Sequence, residues 1–335
     1  MIDFVGKRAF FYVLSIAIMV PGIISLILPG GLNAGIEFSS GSTFTARFQQ
    51  PVNEDDLRKA LTELGHEGSR VQRAGDRYLI RTDLIEGAAQ TPPIGAAPPS
   101  EREELEAALE QRFSPLVDVD GNVNHRFLEF SSVSPSVSSD IGRKAALAVV
   151  VASVAIMIYI TLTFFSVPSP IRYGASAIVA LLHDVLVVMG AMSILGRVLG
   201  YEVDTLFITA MLTIVGFSVH DSIVVFDRVR ENVKRAEAAG LRVSMRQAVN
   251  ASMNQTLGRS LNTSITVVLT LIALILLGGD TVREFLVIML IGLVSGTYSS
   301  IFVASMLLVS WDEGDLPRVF GRSRGTQTAE ATGAA

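Results

Sequence analysis

Asp221 lies in the run Gly216-Phe-Ser-Val-His-Asp-Ser-Ile-Val-Val-Phe-Asp-Arg228, which is apolar enough to sit within a lipid bilayer. A carboxylate buried there costs several kcal/mol unless it is paired, protonated or hydrated. Its near neighbours Ser218, His220 and Ser222 are polar but bring no permanent charge. Arg259 opens the next apolar run from the same side, so it reaches a similar depth on an antiparallel helix. An Asp that gains and loses a proton, opposite an Arg that keeps its own, is suited to a proton relay. The same two residues would serve equally as a static salt bridge locking two helices. Ser218, His220, Ser222 and Thr263 are candidate polar supports. His220 points about 100° away from Asp221 on a helix, which suits packing or an interfacial position.

A second polar pair, His183-Asp184, falls in the middle of another apolar run. It reads either as a relay element or as a hydrogen-bonded pair for helix packing. Asp227, Arg228, Arg230 and Glu231 form a solvated charge cluster at the end of their helix. Further upstream, Gly35 and Gly41 flank Glu37 and Phe38. Glycine permits backbone angles closed to other residues, so the stretch suits a tight fixed turn or a hinge. Soluble-enzyme motifs are missing: GxxxxGK[ST], HExxH, GxSxG and the Rossmann fingerprint do not occur. The chain has no cysteine, which excludes disulfides, thiol catalysis and Cys-based metal sites. No enzyme activity, cofactor or metal site is expected, and a net charge of −5 predicts no nucleic-acid partner.

The elements that must position these residues are membrane helices. The 335 residues are 50% hydrophobic and 18% charged, against roughly 25% charged in soluble chains, and mean hydropathy is +0.47. A span needs about 20 mainly apolar residues. Phe10–Leu28, Ala145–Phe165, Tyr173–Leu195, Leu206–Phe226, Leu261–Leu277 and Phe285–Val309 qualify. The first is read as a retained anchor rather than a signal peptide, because it is long, contains Pro21-Gly22 and lacks a small-x-small cleavage site. Lys7, Arg8, Arg172, the cluster Arg228 to Arg246 and Arg318 to Arg324 all fall on one side, which the positive-inside rule makes cytoplasmic. Arg143 and Lys144 are a minor exception. Both termini are then cytoplasmic.

The division expected is 1–29 for the N-terminus and first span, 30–144 for an extracytoplasmic domain, 145–311 for five spans with a basic loop at about 228–259, and a disordered tail at 312–335. Within the insert, Thr43–Phe48, Arg70–Arg73, Tyr78–Asp83 and Arg126–Ser131 read as strands. Asn53 caps a helix to Leu64, and Ser100, with Glu103 in a capping box, caps another over Glu101–Phe113. The order βαββαβ is that of a ferredoxin-like unit. The fold class is therefore an all-α membrane bundle carrying an inserted ferredoxin-like α+β domain. Gly87–Pro99 is expected to be a mobile loop. Met245, Val249, Met253 and Leu257 repeat every four residues and suggest an interfacial helix on the inner leaflet. Gly292-x-x-x-Gly296, followed by Ser300, is a small-residue stripe for close packing within the chain or against a partner.

Four stretches resemble the SecF family of bacterial protein-export membrane proteins. Ile2-Asp-Phe-Val-Gly-Lys-Arg8 looks like the family's start. Gly31-Leu-Asn-Ala-Gly-Ile-Glu-Phe-Ser-Ser-Gly-Ser42 is similar to its GL(N)xGIDFxGG signature. Val215 to Asn232 resembles VGYSxNDxIVVFDRIREN, and Leu257-Gly-Arg-Ser-Leu-Asn-Thr-Ser264 resembles RTxxTS. Glu37 replaces the usual Asp, Ser39-Ser40 a more glycine-rich pair, and His220 the usual Asn. The resemblance implies a subunit that works with SecD and uses the proton motive force to help polypeptides finish crossing the membrane after the SecYEG channel, with YajC and YidC as further candidate partners. It also implies that protons pass at Asp221 and Arg259. SecD would be an obligate partner, and membrane lipid surrounds both. Two rivals stand beside this reading: an assembly subunit without proton chemistry, and half of a proton-driven small-molecule exporter.

Overall fold

The computed structural model describes residues 2–85, 100–165 and 169–314. The loop at 87–99 and the tail from 315 onward lie outside the described residues. Among the described residues six helical segments are long and apolar enough to cross a membrane: Val5–Ile27, Pro135–Thr163, Pro170–Leu199, Thr205–Ala238, Met245–Leu277 and Val282–Glu313. In chain order they contain α1 (Arg8–Ile27), α5 (Pro135–Thr163), α6 (Pro170–Leu199), α7 (Thr205–Ala238), α8 (Met245–Leu277), and α9 (Asp280–Tyr298) joined to α10 (Ala304–Glu313) through a π turn, Ser299–Val303. The last helix runs to Glu313, so residues 312 and 313 are helical rather than tail.

Helix α7 has 34 residues, about 51 Å at 1.5 Å per residue, well over the roughly 30 Å of a hydrocarbon core. Its surplus carries Asp227 to Arg235 beyond the apolar stretch. The connection from α7 to α8 is consequently a helical hairpin, turning over residues 239–244, rather than a loop. Ser244 starts α8 with a capping box to Gln247. The expected interfacial helix is the first part of α8, and Val249 and Met253 are fully buried against Val5, Phe226 and Val229. A four-residue apolar repeat suits a lipid surface and a helical neighbour alike. Here the extension of α7 supplies the neighbour.

Two close crossings define the bundle. A Cβ on Gly22 of α1 would lie 2.7 Å from the Cα of Gly190 on α6, so only glycine allows this approach. The hydroxyls of Ser25 and Ser193 pair at 2.7 Å beside it. The stripe Gly292–Gly296 packs within the chain, against Ile214 and Ser218 of α7.

The insert between α1 and α5 holds α2 (Ile36–Ser39), β1 (Gly41–Ala46), α3 (Glu54–Glu63), β2 (Arg70–Ala74), β3 (Arg77–Thr82), α4 (Glu101–Arg112) and β4 (Glu129–Val133). The sheet order is β2-β3-β1-β4, antiparallel throughout, as the βαββαβ pattern requires. Asn53 accepts from the Asp55 amide, and Ser100 and Glu103 form the expected capping box. Leu57, Leu61, Leu105 and Leu109 from the helices close over Phe44, Tyr78 and Ile80 of the sheet. Strand β4 starts later than expected because Phe127 leaves the strand line to stack on Phe44, with ring centroids 4.2 Å apart.

The sheet unit is tied to the bundle through backbone. The Gly35 amide donates to the Val203 carbonyl and the Val203 amide to the Asn33 carbonyl, each at 2.7 Å. Arg81 of β3 reaches the Ala34 carbonyl and pairs with Glu202 at 3.0 Å.

Candidate functional site

Asp184 is the polar centre of the bundle. It is fully buried on α6, where α7 and α9 meet it. Oδ2 accepts from the hydroxyls of Ser218 and Ser299, both at 2.6 Å. Oδ1 accepts from Ser295 at 2.9 Å and from Nδ1 of His183 at 3.1 Å. Bonds to a charged group contribute about 1.5–3 kcal/mol each, so this set offsets a burial cost of several kcal/mol. The π turn makes the web possible. It lets consecutive Ser299 and Ser300 both face inward, and the Ser300 hydroxyl donates to the Ser218 carbonyl at 2.6 Å. Gly296 keeps α9 close, since a Cβ there would stand 3.1 Å from Cβ of Ser218.

Asp221 lies one turn beyond Ser218 on α7 and is buried, as is Ser222. Its Oδ2 has no hydrogen-bond partner among the described residues. Its polar neighbour is the Ser264 hydroxyl of α8, which in turn pairs with Thr297 of α9 at 2.7 Å. The two membrane carboxylates thus meet the same hydroxyl-rich stretch of α9 from two sides, Asp184 through Ser295 and Ser299, Asp221 through Ser264 and Thr297.

Arg259 is exposed, and among the described residues no ion pair joins it to Asp221. The static salt bridge is therefore not formed in this chain. Rotation about the helix axis separates them. Arg259 precedes Ser264 by five positions, about 140° round the helix at 100° per residue, so when Ser264 faces Asp221, Arg259 faces away. Thr263 shares that outer face and donates to the Arg259 carbonyl at 3.0 Å. Asn262, Thr266 and Thr270 continue it. His220 is exposed on α7 and turned from Asp221, in line with Thr213 and Gly216.

The signature stretch Gly35–Ser42 is a packed corner at the base of the sheet. A Cβ on Gly35 would meet the Val203 carbonyl oxygen at 2.9 Å. Gly41 has φ +123° and faces the Thr82 carbonyl oxygen, 2.6 Å from where a Cβ would be. Phe38 packs toward Gly142 of α5. Burial raises the Glu37 carboxyl above the usual range, and the nearby Asp204 and Glu202 add to this while Arg81 opposes it. Asp204 caps α7 by accepting from the Phe207 amide at 2.7 Å, and burial raises it as well.

A family model described as "Protein export membrane protein SecD/SecF, C-terminal" matches residues 116–314. The chain belongs to the SecD/SecF protein-export family. Among its SecF relatives, the protein translocase subunit of Thermobaculum terrenum is 45% identical over 96% of this chain and 98% of its own length. That of Anaerolinea thermophila is 37% identical over 99% of this chain and all of its own. The crystal structure of SecDF, a translocon-associated membrane protein from Thermus thermophilus, superposes with a TM-score of 0.74 at 30% identity. It covers 93% of this chain, which spans only 39% of the SecDF chain. SecF and SecDF relatives are translocase subunits, and a role in protein translocation follows for a chain matched over nearly its whole length.

Sequence reasoning missed Ser264, Ser295, Thr297 and Ser299. The available signal was the density of hydroxyls in Ser295–Ser300, within an otherwise apolar helix.

Proposed function

We propose that this chain is the SecF-type half of a SecD–SecF assembly that uses the proton motive force to assist late steps of Sec-dependent translocation across the cytoplasmic membrane. The observation that supports it most is the buried Asp221 carboxylate, with one oxygen unpartnered among the described residues and its neighbours in a hydroxyl network shared with Asp184. A carboxylate left in that state exchanges a proton more readily than one locked to an arginine.

Arg259, with Asn262, Thr263, Thr266 and Thr270, forms an exposed polar face on a membrane helix. Polar faces of this kind turn to protein rather than lipid. SecD, fused to its counterpart in the SecDF relatives, is the partner proposed to cover it, and the SecYEG channel, YajC and YidC are the wider set. The sheet unit lies outside the cell membrane and both termini inside, as the Lys/Arg distribution indicates. One proton moving down about 150 mV releases roughly 3.5 kcal/mol, enough to bias a conformational equilibrium of a few kcal/mol. Whether Gly35–Ser42 flexes or stays fixed during that movement decides how the sheet unit is coupled, and its close packing favours a fixed corner.

The test is export in cells or vesicles carrying Asp221→Asn, Arg259→Ala or both, with insertion and SecD binding checked by copurification. Each single change should remove the contribution to export, and the double change should be little worse, because groups acting as a unit are not additive. Full export with Asp221→Asn would leave an assembly role as the better account.

A further inference from the structure

His183 is 5% exposed at the middle of α6. Its Nδ1 stands 3.1 Å from Oδ1 of Asp184. A carboxylate only accepts, so Nδ1 carries the hydrogen and Nε2 presents its lone pair. That Nε2 is buried and has no hydrogen-bond partner among the described residues. An unmet buried acceptor costs about 1–3 kcal/mol, which a leucine at the same place would avoid. Packing alone does not explain the residue. The neighbouring ring is Tyr298, 6.1 Å away between centroids, but its hydroxyl donates to the Phe11 carbonyl and is committed elsewhere.

We propose that Nε2 of His183 is a proton-binding site inside the bundle, held in register by Asp184. A carboxylate on one ring nitrogen fixes the tautomer and stabilises the imidazolium that forms when the other takes a proton. One proton adds to the Nε2 lone pair. No other reactant is needed. From Asp184 the hydroxyls of Ser218, Ser295 and Ser299 lead onward, and Asp221 is one turn past Ser218. The titratable groups near the pair are Asp221 on α7 and Tyr298 on α9; α1 offers the Ser15 hydroxyl, bonded to Tyr298. No lysine or arginine is hydrogen-bonded to the pair among the described residues. The use of the site in transport rests on the proton-driven reading above, whereas the site itself rests on His183 and its surroundings.

Solid-state nitrogen NMR of the full chain with its SecD partner in liposomes, labelled at histidine, reads the site directly. The chain has 4 histidines, so the His183 signal is the one lost in His183→Gln. Should that variant fail to fold, the signal is the one retained when the other histidines are replaced by Gln. Between about pH 9 and pH 5 the signal should pass from the tautomer protonated at Nδ1 to imidazolium, and Asp184→Asn should abolish the Nδ1 preference. A His183 signal unchanged across that range, or protonated at Nε2 throughout, overturns the proposal. His183→Gln should also lower proton-dependent export with the complex intact. A titrating His183 together with normal export in Asp221→Asn would keep the site and remove the transport reading, and a silent His183 with failed export in Asp221→Asn would do the reverse.

Discussion

Ser40 has φ +61° and ψ +169°, a backbone region that only glycine occupies without strain. It stands where the family signature has a glycine, and no hydrogen bond from its side chain is present among the described residues. Holding a non-glycine residue there costs about 1–3 kcal/mol. Ser40→Gly should release that strain but gain unfolded-chain entropy worth about 0.4–1 kcal/mol. At mid-range the net stabilisation is then about 1 kcal/mol, on the order of 4–8 °C in the melting of a domain of roughly this size. Gly41→Ala is the paired control. It places a Cβ 2.6 Å from the Thr82 carbonyl oxygen at φ +123° and should destabilise the same unit. Both are read by thermal melting and protease resistance of the sheet unit in the detergent-solubilised chain. Equal or lower stability of Ser40→Gly, or a tolerated Gly41→Ala, would refute the strained-corner argument.

A cysteine placed at Ala96 should react with a membrane-impermeant thiol reagent in spheroplasts and one at Ala238 should not; labelling in the reverse order would invert the topology. The contact between the sheet unit and the bundle should depend on pH. Glu37 and Asp204 have carboxyls raised in the folded state, so the docked form binds more protons than the released one, and stability falls as pH rises through the raised values. Hydrogen exchange at the Gly35 and Val203 amides should therefore slow, after correction for intrinsic rate, as pH is lowered from neutral toward the ordinary carboxylate range. Glu37→Gln should flatten that response, and an unchanged response would show that Glu37 does not set it.

Much of this architecture is legible from spacing. The spans follow from length and hydropathy, and the sheet unit from two capped helices and a Gly75 turn between β2 and β3. What spacing does not give is rotation about a helix axis at a distance. Arg259 faces outward, while Ser264, five positions further on, takes the inner face beside Asp221. His183-Asp184, an ambiguous pair in sequence, becomes the centre of a web because a π turn brings Ser299 and Ser300 inward together. A regular α-helical period does not foresee that shift. The four-residue repeat from Met245 to Leu257 likewise fits a membrane surface or a helical neighbour, and only the over-length α7 decides between them.

If Asp221 exchanges protons across this bundle, as proposed, the exchange should be visible as proton flux. The chain and its SecD partner are reconstituted in liposomes with a trapped pH-sensitive dye, and an imposed pH gradient is allowed to relax. Wild-type complex should dissipate the gradient faster than empty liposomes, and Asp221→Asn complex of the same composition should match the empty ones. Equal flux through wild-type and Asp221→Asn complexes would show that Asp221 carries no proton across the bundle.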